Sequence, residues 1–224
     1  MVNWAPRPAQ PTPTPPPAVK FAASSVTAAQ PAGDRASPGW PPPPPNLRPL
    51  YDTAARQQIF GRFEYVPDPL PNNAEHIRIL GTWQQDNIVP VQIPQLVGRS
   101  IRGAPRSGTA FWHRLAVKQL LALWAGWEQA GLLDRVVIYA GDFNPRFSRG
   151  TTTLSNHAFG TAFDINCDYS TRLNWLGAQP ALVGQYGCVR ELVAIANACG
   201  FYWGGHFGAG RVDGMHFEIA ELRP

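Results

Sequence analysis

Fifteen of the 24 prolines in this chain lie before residue 50, in runs that include 11–17 (PTPTPPP) and 41–45 (PPPPP). Proline removes backbone donors and favours extended geometry, and the segment has few large apolar side chains to bury. We therefore predict that residues 1–49 form a disordered, proline-rich tether, which could also attach the protein to a partner. The remaining residues, about 175 of the 224, are enough for one well-packed core.

The distribution of charge argues against one class of function. The chain has a formal net charge of +4, and residues 1–50 account for +3 of it with four basic groups and one acidic group. The rest of the chain is therefore nearly neutral, which is not typical of a dedicated nucleic-acid binder.

No uninterrupted apolar stretch approaches the roughly 18 residues of a membrane span, so no membrane-spanning segment is predicted. The N-terminal sequence also lacks the apolar run of an ordinary signal peptide.

Local patterns predict short strands mixed with helices after residue 50. A capped helix is predicted from Asp52, and another helix over 188–199. The strand-like runs are HIRIL (76–80), IVPVQI (88–93), RVVIYAG (135–141), FGTAFDIN (159–166), FYWGG (201–205) and GMHFEIA (214–220). Neither a regular βαβ alternation nor a glycine-rich phosphate loop is present. The sequence therefore predicts an α+β fold with a small, mainly antiparallel sheet flanked by helices.

The clearest helix is predicted to begin at Ser107 or Thr109 and to end near Leu133. Its apolar side would carry four large side chains, with a glycine at position 131 near its end. These side chains are Phe111, Leu115, Trp124 and Trp127.

The three cysteines, Cys167, Cys188 and Cys199, are too few for a disulfide scaffold. Cys188 and Cys199 would lie about 16 Å apart along a helix, too far for a bond. Cys167 could pair with either of them, and reduced thiols are the default expectation.

Two of the five histidines lie among other residues able to bind a metal. On a strand over 215–219, His216 and Glu218 point to one face, away from the apolar side chains between and beside them. Asp164 likewise faces away from the apolar residues on either side of it. His157 precedes Asp164 by seven residues, and Gly160 between them could supply a bend that brings both to one point.

Two histidines and one carboxylate suit a catalytic zinc site with an open position for water, although a buried histidine bonded to an aspartate is common without a metal. Asp213 lies three residues before His216, where it could act as a general base or simply form an Asp-Gly turn. Glu218 could orient His216 from its other ring nitrogen, or be an ordinary solvated carboxylate.

The segments SNHAFGTAFDIN (155–166) and DGMHFE (213–218) resemble the two signatures of the VanY-like zinc D-alanyl-D-alanine carboxypeptidases and of the related phage L-alanyl-D-glutamate endopeptidases. The pattern is Ser-x-His-x6-Asp, followed much later by an acidic residue, two others and His. The resemblance implies that Zn2+ binds to His157, Asp164 and His216. It also implies that Asp213 is the general base and later the proton donor.

Further roles follow from the same resemblance. It implies an arginine that binds substrate or stabilises the oxyanion, for which Arg146 is the expected residue, although Arg149 lies close to it. Ser155, which would line the site, and Arg149 are expected to bind substrate, and so is Trp203, which belongs to a WGG segment similar to the family's own. The implied fold is of the Hedgehog/DD-peptidase type. Residues 108–224 would form the catalytic domain, with 50–107 as an N-terminal extension packed on it.

The implied activity is hydrolysis of the peptidoglycan stem peptide, in the periplasm or cell wall. We favour D,D-carboxypeptidase activity, with an endolysin-type L-alanyl-D-glutamate endopeptidase as the alternative. A non-catalytic cell-wall-binding module with a structural metal is a further alternative. A non-haem Fe(II) oxygenase also uses two histidines and a carboxylate, but usually with its first histidine and carboxylate two residues apart rather than seven.

Overall fold

The computed structural model describes residues 41–167, 189–208, 211 and 213–223. Most of the predicted tether (1–40) and Cys188 lie outside these residues. The helices of the described part are α1 (Thr53–Phe60), α2 (Trp83–Asn87), α3 (Val117–Gln129) and α4 (Val193–Ala198). Its strands are β1 (Tyr65–Pro67), β2 (Ile77–Ile79), β3 (Ile88–Gln92), β4 (Thr109–His113), β5 (Tyr139–Gly141), β6 (Ala162–Ile165), β7 (Phe201–Trp203) and β8 (His216–Ile219).

The strands form small antiparallel sheets. β1 pairs with β2, β3 pairs with β4, and the four remaining strands form one sheet in the order β5-β6-β8-β7. Every neighbouring pair in the four-stranded sheet is antiparallel. Helices accompany the sheets without a repeated βαβ unit, which confirms the predicted α+β class.

The predicted helix from Ser107 or Thr109 is wrong in its first part. Residues Thr109–His113 form strand β4, and the helix begins only at Val117. The segment TAFWH alternates along a strand, so that Ala110 and Trp112 are fully buried while Phe111 is 51% exposed. Pairing with β3 over five positions fixes this extended conformation. Leu115, also predicted to be buried, is 41% exposed because it lies in the turn before α3.

The other predicted elements are present, with shorter bounds. Asp52 caps α1 by accepting a hydrogen bond from the Ala55 amide at 2.6 Å. Gly160 adopts a left-handed conformation (φ +63°) that ends a 3-10 helix and turns the chain toward β6, so the predicted bend is confirmed. A Cβ at position 160 would lie 2.7 Å from the end of the Ile88 side chain and 3.1 Å from the His113 backbone nitrogen, so a larger residue would have to displace these neighbours as well as adopt the positive φ.

One hydrophobic core joins the predicted N-terminal extension to the rest of the chain. Trp124 and Trp127 of α3 are fully buried against Phe163 and Phe217 of the central strands, as predicted for these tryptophans. The same cluster contains Phe60, Phe63, Ile77, Ile93 and Phe159. The four-stranded sheet thus has one apolar face in the core, and its opposite face is left for polar side chains.

The final residues of the predicted tether, 41–49, pack on the folded part. Leu47 is buried, and the ring of His206 donates from Nε2 to the Pro41 carbonyl at 2.7 Å. Cys199 is a free buried thiol, which excludes a bond to Cys167. None of the helices described is both long and apolar enough to span a bilayer.

Candidate metal centre

Two strands at the middle of the four-stranded sheet place a carboxylate directly beside an imidazole. Asp164 of β6 is the register partner of His216 on β8, so their side chains leave the same face of the sheet as neighbours. The Nδ1 atom of His216 lies 3.0 Å from Oδ1 of Asp164. Both side chains are buried.

His157 reaches the same point from a different element. Ser155 begins a 3-10 helix over Asn156–Phe159 by accepting the His157 amide on its hydroxyl at 3.3 Å. The Nε2 atom of His157 then lies 3.3 Å from Oδ2 of Asp164 and 3.2 Å from Nδ1 of His216. The structure therefore brings together the three side chains that were predicted as metal ligands.

These distances fit a metal ion of zinc's size. In a tetrahedral zinc site with bonds of about 2.0–2.1 Å, neighbouring ligand atoms are about 3.3 Å apart. The two ring nitrogens here are 3.2 Å apart; Nδ1 of His216 lies 3.0 Å from Oδ1 of Asp164, and Nε2 of His157 lies 3.3 Å from Oδ2 of the same carboxylate. Two imidazoles and one carboxylate also supply the nitrogen and oxygen donors that zinc accepts. The cluster could thus hold such an ion with little rearrangement.

The outer nitrogen of each imidazole faces an acceptor, which leaves the inner nitrogen free to bind a metal. Nδ1 of His157 lies 2.6 Å from the Asp142 carbonyl, so it must donate there. Nε2 of His216 lies 2.9 Å from Oε2 of Glu218. Such contacts fix the tautomer and ring orientation of metal-binding histidines. The sequence had indicated the role of Glu218 but not that of Asp142, whose contribution here comes from its backbone.

Glu218 is itself held in place. It is buried, and its Oε2 accepts a hydrogen bond from the side-chain amide (Nδ2) of Asn156 at 2.6 Å. Asn156 is in turn fixed by the Thr161 hydroxyl, which donates to its backbone carbonyl at 3.1 Å. Sequence reasoning missed Asn156, although it lies between Ser155 and His157, because an asparagine in a loop carries no distinctive signal.

Asp213 lies on the loop that enters β8, with its backbone carbonyl accepting the His216 amide at 3.3 Å. Its Oδ1 atom is buried and has no hydrogen-bond partner among the described residues. Burial raises the pKa of this carboxyl group, an effect that attraction to His216 opposes and repulsion from Asp164 reinforces. Gly204 packs against this loop so closely that a Cβ there would lie 2.5 Å from the Asp213 carbonyl oxygen.

The remaining predicted residues lie in different surroundings. Trp203 is fully buried, and its indole N–H donates to the Gly214 carbonyl at 2.9 Å. It therefore holds the loop of Asp213 in place and is not exposed for contact with a substrate. Arg146 is half-buried, and its guanidinium donates to the Phe147 carbonyl at 3.1 Å. Arg149 is exposed. The structure thus gathers the metal ligands and Asp213, but gives neither arginine a hydrogen bond to that cluster.

Residues 149–219 match the family model described as D-alanyl-D-alanine carboxypeptidase. The match confirms, over this segment, the resemblance noted in the sequence, and it indicates a peptidase. The segment contains the three clustered side chains and Asp213. A search of curated proteins and a search of solved structures gave no match.

The charges in the cluster predict that metal binding releases a proton. Burial by itself would lower the pKa of His216, but hydrogen bonds and charges from Asp164 and Glu218 raise it to about 10 from its ordinary 6.5. The protonated ring therefore stabilises the metal-free protein fully below pH 6.5, and this contribution is lost as the pH rises through 10. At pH 8 an incoming ion must displace that proton from Nδ1, so about one proton should be released per ion.

Calorimetric titration of the metal-free chain with Zn2+, in two buffers that differ in ionisation enthalpy, would count the protons. Affinity should rise up to tenfold per pH unit between pH 7 and 9. Glu218→Gln removes one of the two carboxylates that hold the proton, so this variant should release fewer protons at pH 8. Binding without proton release in the unaltered protein would contradict this account.

Proposed function

We propose that this protein is a zinc-dependent peptidase that hydrolyses the peptidoglycan stem peptide, with the terminal D-alanyl-D-alanine bond as its target. One observation carries the proposal. A three-ligand cluster with zinc-like spacing interacts electrostatically with the half-buried side chain of Asp213, within the segment that matches the carboxypeptidase family. An enzyme with this substrate would act outside the cytoplasm, in the periplasm or cell wall.

In this proposal His157, Asp164 and His216 hold the zinc ion. Zinc bound there would act as a Lewis acid and lower the pKa of a bound water toward neutrality. Asp213 takes a proton from the attacking water and later gives it to the leaving amine. In the metal-free protein burial raises the pKa of Asp213, and its buried Oδ1 atom has no hydrogen-bond partner among the described residues, which leaves this oxygen available to accept and donate a proton.

Arg146 is proposed to stabilise the negative charge that develops on the carbonyl oxygen. Its segment is tied to the metal site, because the Arg146 carbonyl accepts the Ser155 amide at 3.0 Å. Ser155 and Arg149 are proposed to contact the substrate. The hydroxyl of Ser155 caps the helix of His157, which places it next to the ligand cluster.

An open groove of about 730 Å³ offers a place for an extended peptide. None of its lining residues is a metal ligand or Asp213, but Thr153 is two residues before Ser155 in the chain and Arg211 is two residues before Asp213. Hydroxyl groups and an exposed guanidinium suit a peptide that carries carboxylates. The lining residues are Ala74, Glu75, Phe147, Gly150, Thr151, Thr152, Thr153 and Arg211.

The direct test is mass spectrometry of purified muropeptides after incubation with the protein, with and without a chelator. We expect loss of a terminal alanine from pentapeptide stems, abolished by the chelator and restored by added Zn2+. Cleavage after the first alanine would instead establish the L-alanyl-D-glutamate endopeptidase. Product formation that survives complete metal removal would contradict the zinc mechanism, and the absence of any product with Zn2+ present would contradict a peptidase.

The role of Asp213 predicts a separation of turnover from metal binding. Asp213→Asn keeps the size of the side chain but cannot accept the proton, so kcat should fall by about 10²–10⁴-fold. Zinc content, measured by atomic emission, should stay at one ion per chain because Asp213 is not a ligand. Glu64→Gln alters an exposed carboxylate and is the matched control. Activity retained in Asp213→Asn would disprove the assignment of the base.

The two arginines can be separated in the same assay. Loss of one oxyanion donor typically costs about 10²–10³-fold in kcat. Arg146→Gln should therefore lower kcat by this order, while Arg149→Gln should act mainly on KM because Arg149 is exposed and is proposed only to contact substrate. A large loss of kcat in Arg149→Gln but not in Arg146→Gln would show that Arg149, and not Arg146, stabilises the oxyanion.

A further inference from the structure

Helix α1 forms hydrogen bonds with both the backbone N–H and the backbone carbonyl of Leu154, which lies three residues before His157. The Leu154 amide donates to the Thr53 hydroxyl at 3.0 Å, and the Arg56 guanidinium donates to the Leu154 carbonyl at 2.6 Å. Leu154 is itself completely buried. The helix that makes these contacts lies about 90 residues before the segment that matches the carboxypeptidase family.

Leu154 leads along the chain directly into the metal site. Ser155, which follows it, caps the 3-10 helix, and His157 enters the cluster from that helix. Between them, Asn156 holds Glu218, which in turn faces the outer nitrogen of His216. A displacement of Leu154 would therefore move His157 through the chain that connects them. It would also move His216, because the hydrogen bond between Asn156 and Glu218 sets the position of the carboxylate that His216 contacts.

The guanidinium of Arg56 is a charged group held inside the protein, where it also donates to the Tyr51 carbonyl at 3.3 Å. Its side chain is buried, and its Nε atom has no hydrogen-bond partner among the described residues. A buried charge with an unsatisfied donor is a poor source of stability. Burial lowers the pKa of Arg56, and the negative charges of Glu218 and Asp52 oppose this effect. The guanidinium thus lies within the electrostatic reach of the carboxylate that orients His216.

We propose that Thr53 and Arg56 are positioning residues of the metal centre. They fix the backbone at Leu154, and thereby hold the His157 ring and the Asn156–Glu218 pair in the geometry that binds the ion. Residues outside the family segment would then be part of the working site. The inference rests on the metal centre of the proposed function, but not on the identity of the peptide that is cleaved.

The test is optical titration of the metal-free full chain with Co2+, whose visible spectrum reports the coordination geometry. Thr53→Val removes the hydroxyl that accepts the Leu154 amide, while Thr53→Ser keeps it. Arg56→Gln removes the guanidinium, and Arg62→Gln changes an exposed arginine just beyond α1 as the control. We expect Thr53→Val and Arg56→Gln each to weaken Co2+ binding by about tenfold or more, with altered spectra. Thr53→Ser and Arg62→Gln should stay within about twofold of the unaltered protein.

Melting temperatures with chelator and with Co2+ distinguish this role from one in stability alone. If α1 only stabilises the fold, the variants should melt earlier in both conditions and should bind Co2+ with unchanged affinity, and the proposal would be overturned. If Arg56→Gln fails to fold, the difference in Co2+ affinity between Thr53→Val and Thr53→Ser is sufficient to test the proposal. Failure of the unaltered protein to bind Co2+ or Zn2+ would refute the metal centre itself, whereas a metal-binding protein without peptidase activity would refute only the proposed reaction.

Discussion

The antiparallel pairing of β6 with β8 is the constraint on which the rest of the site depends. It sets Asp164 opposite His216 on one face and Phe163 opposite Phe217 on the other, where the two rings stack with centroids 5.6 Å apart. A slip of one residue would turn the metal-binding side chains into the core. The tryptophans of α3 pack against the phenylalanines, so the hydrophobic effect that stabilises the domain also fixes the position of the ligands.

The polar face of these strands is an arrangement of buried charges that satisfy one another. Burial would raise the pKa of Asp164, yet the two histidines together hold it well below its ordinary value. Glu218 sits two residues beyond His216 on the same face, opposite Ala162, whose small side chain leaves room for it. Without an ion the cluster is held together by hydrogen bonds and a proton. An ion of suitable size would take over the role of that proton.

The sequence predicted the parts of the site that follow from strand periodicity and from the two short motifs. Asp164, His216 and Glu218 fall on the predicted face because alternation along a strand is a local property. Arg56 could not have been predicted, since its contact with Leu154 spans 98 positions and depends on how α1 packs. The segment TAFWH was misassigned because its apolar residues suit a helix or a strand equally well, and only pairing with β3 decides between them.

The ligands differ in the kind of backbone that carries them. Asp164 and His216 lie on the two inner strands of the sheet, whose separation would require the core to open. His157 lies on a buried 3-10 turn outside the sheet, and the contacts of α1 with Leu154 hold the start of that turn. One ligand thus depends on a helix about 100 residues earlier in the chain, and the other two depend on the pairing of β6 with β8. The affinity for an ion would then report the packing of α1 as well as the integrity of the sheet.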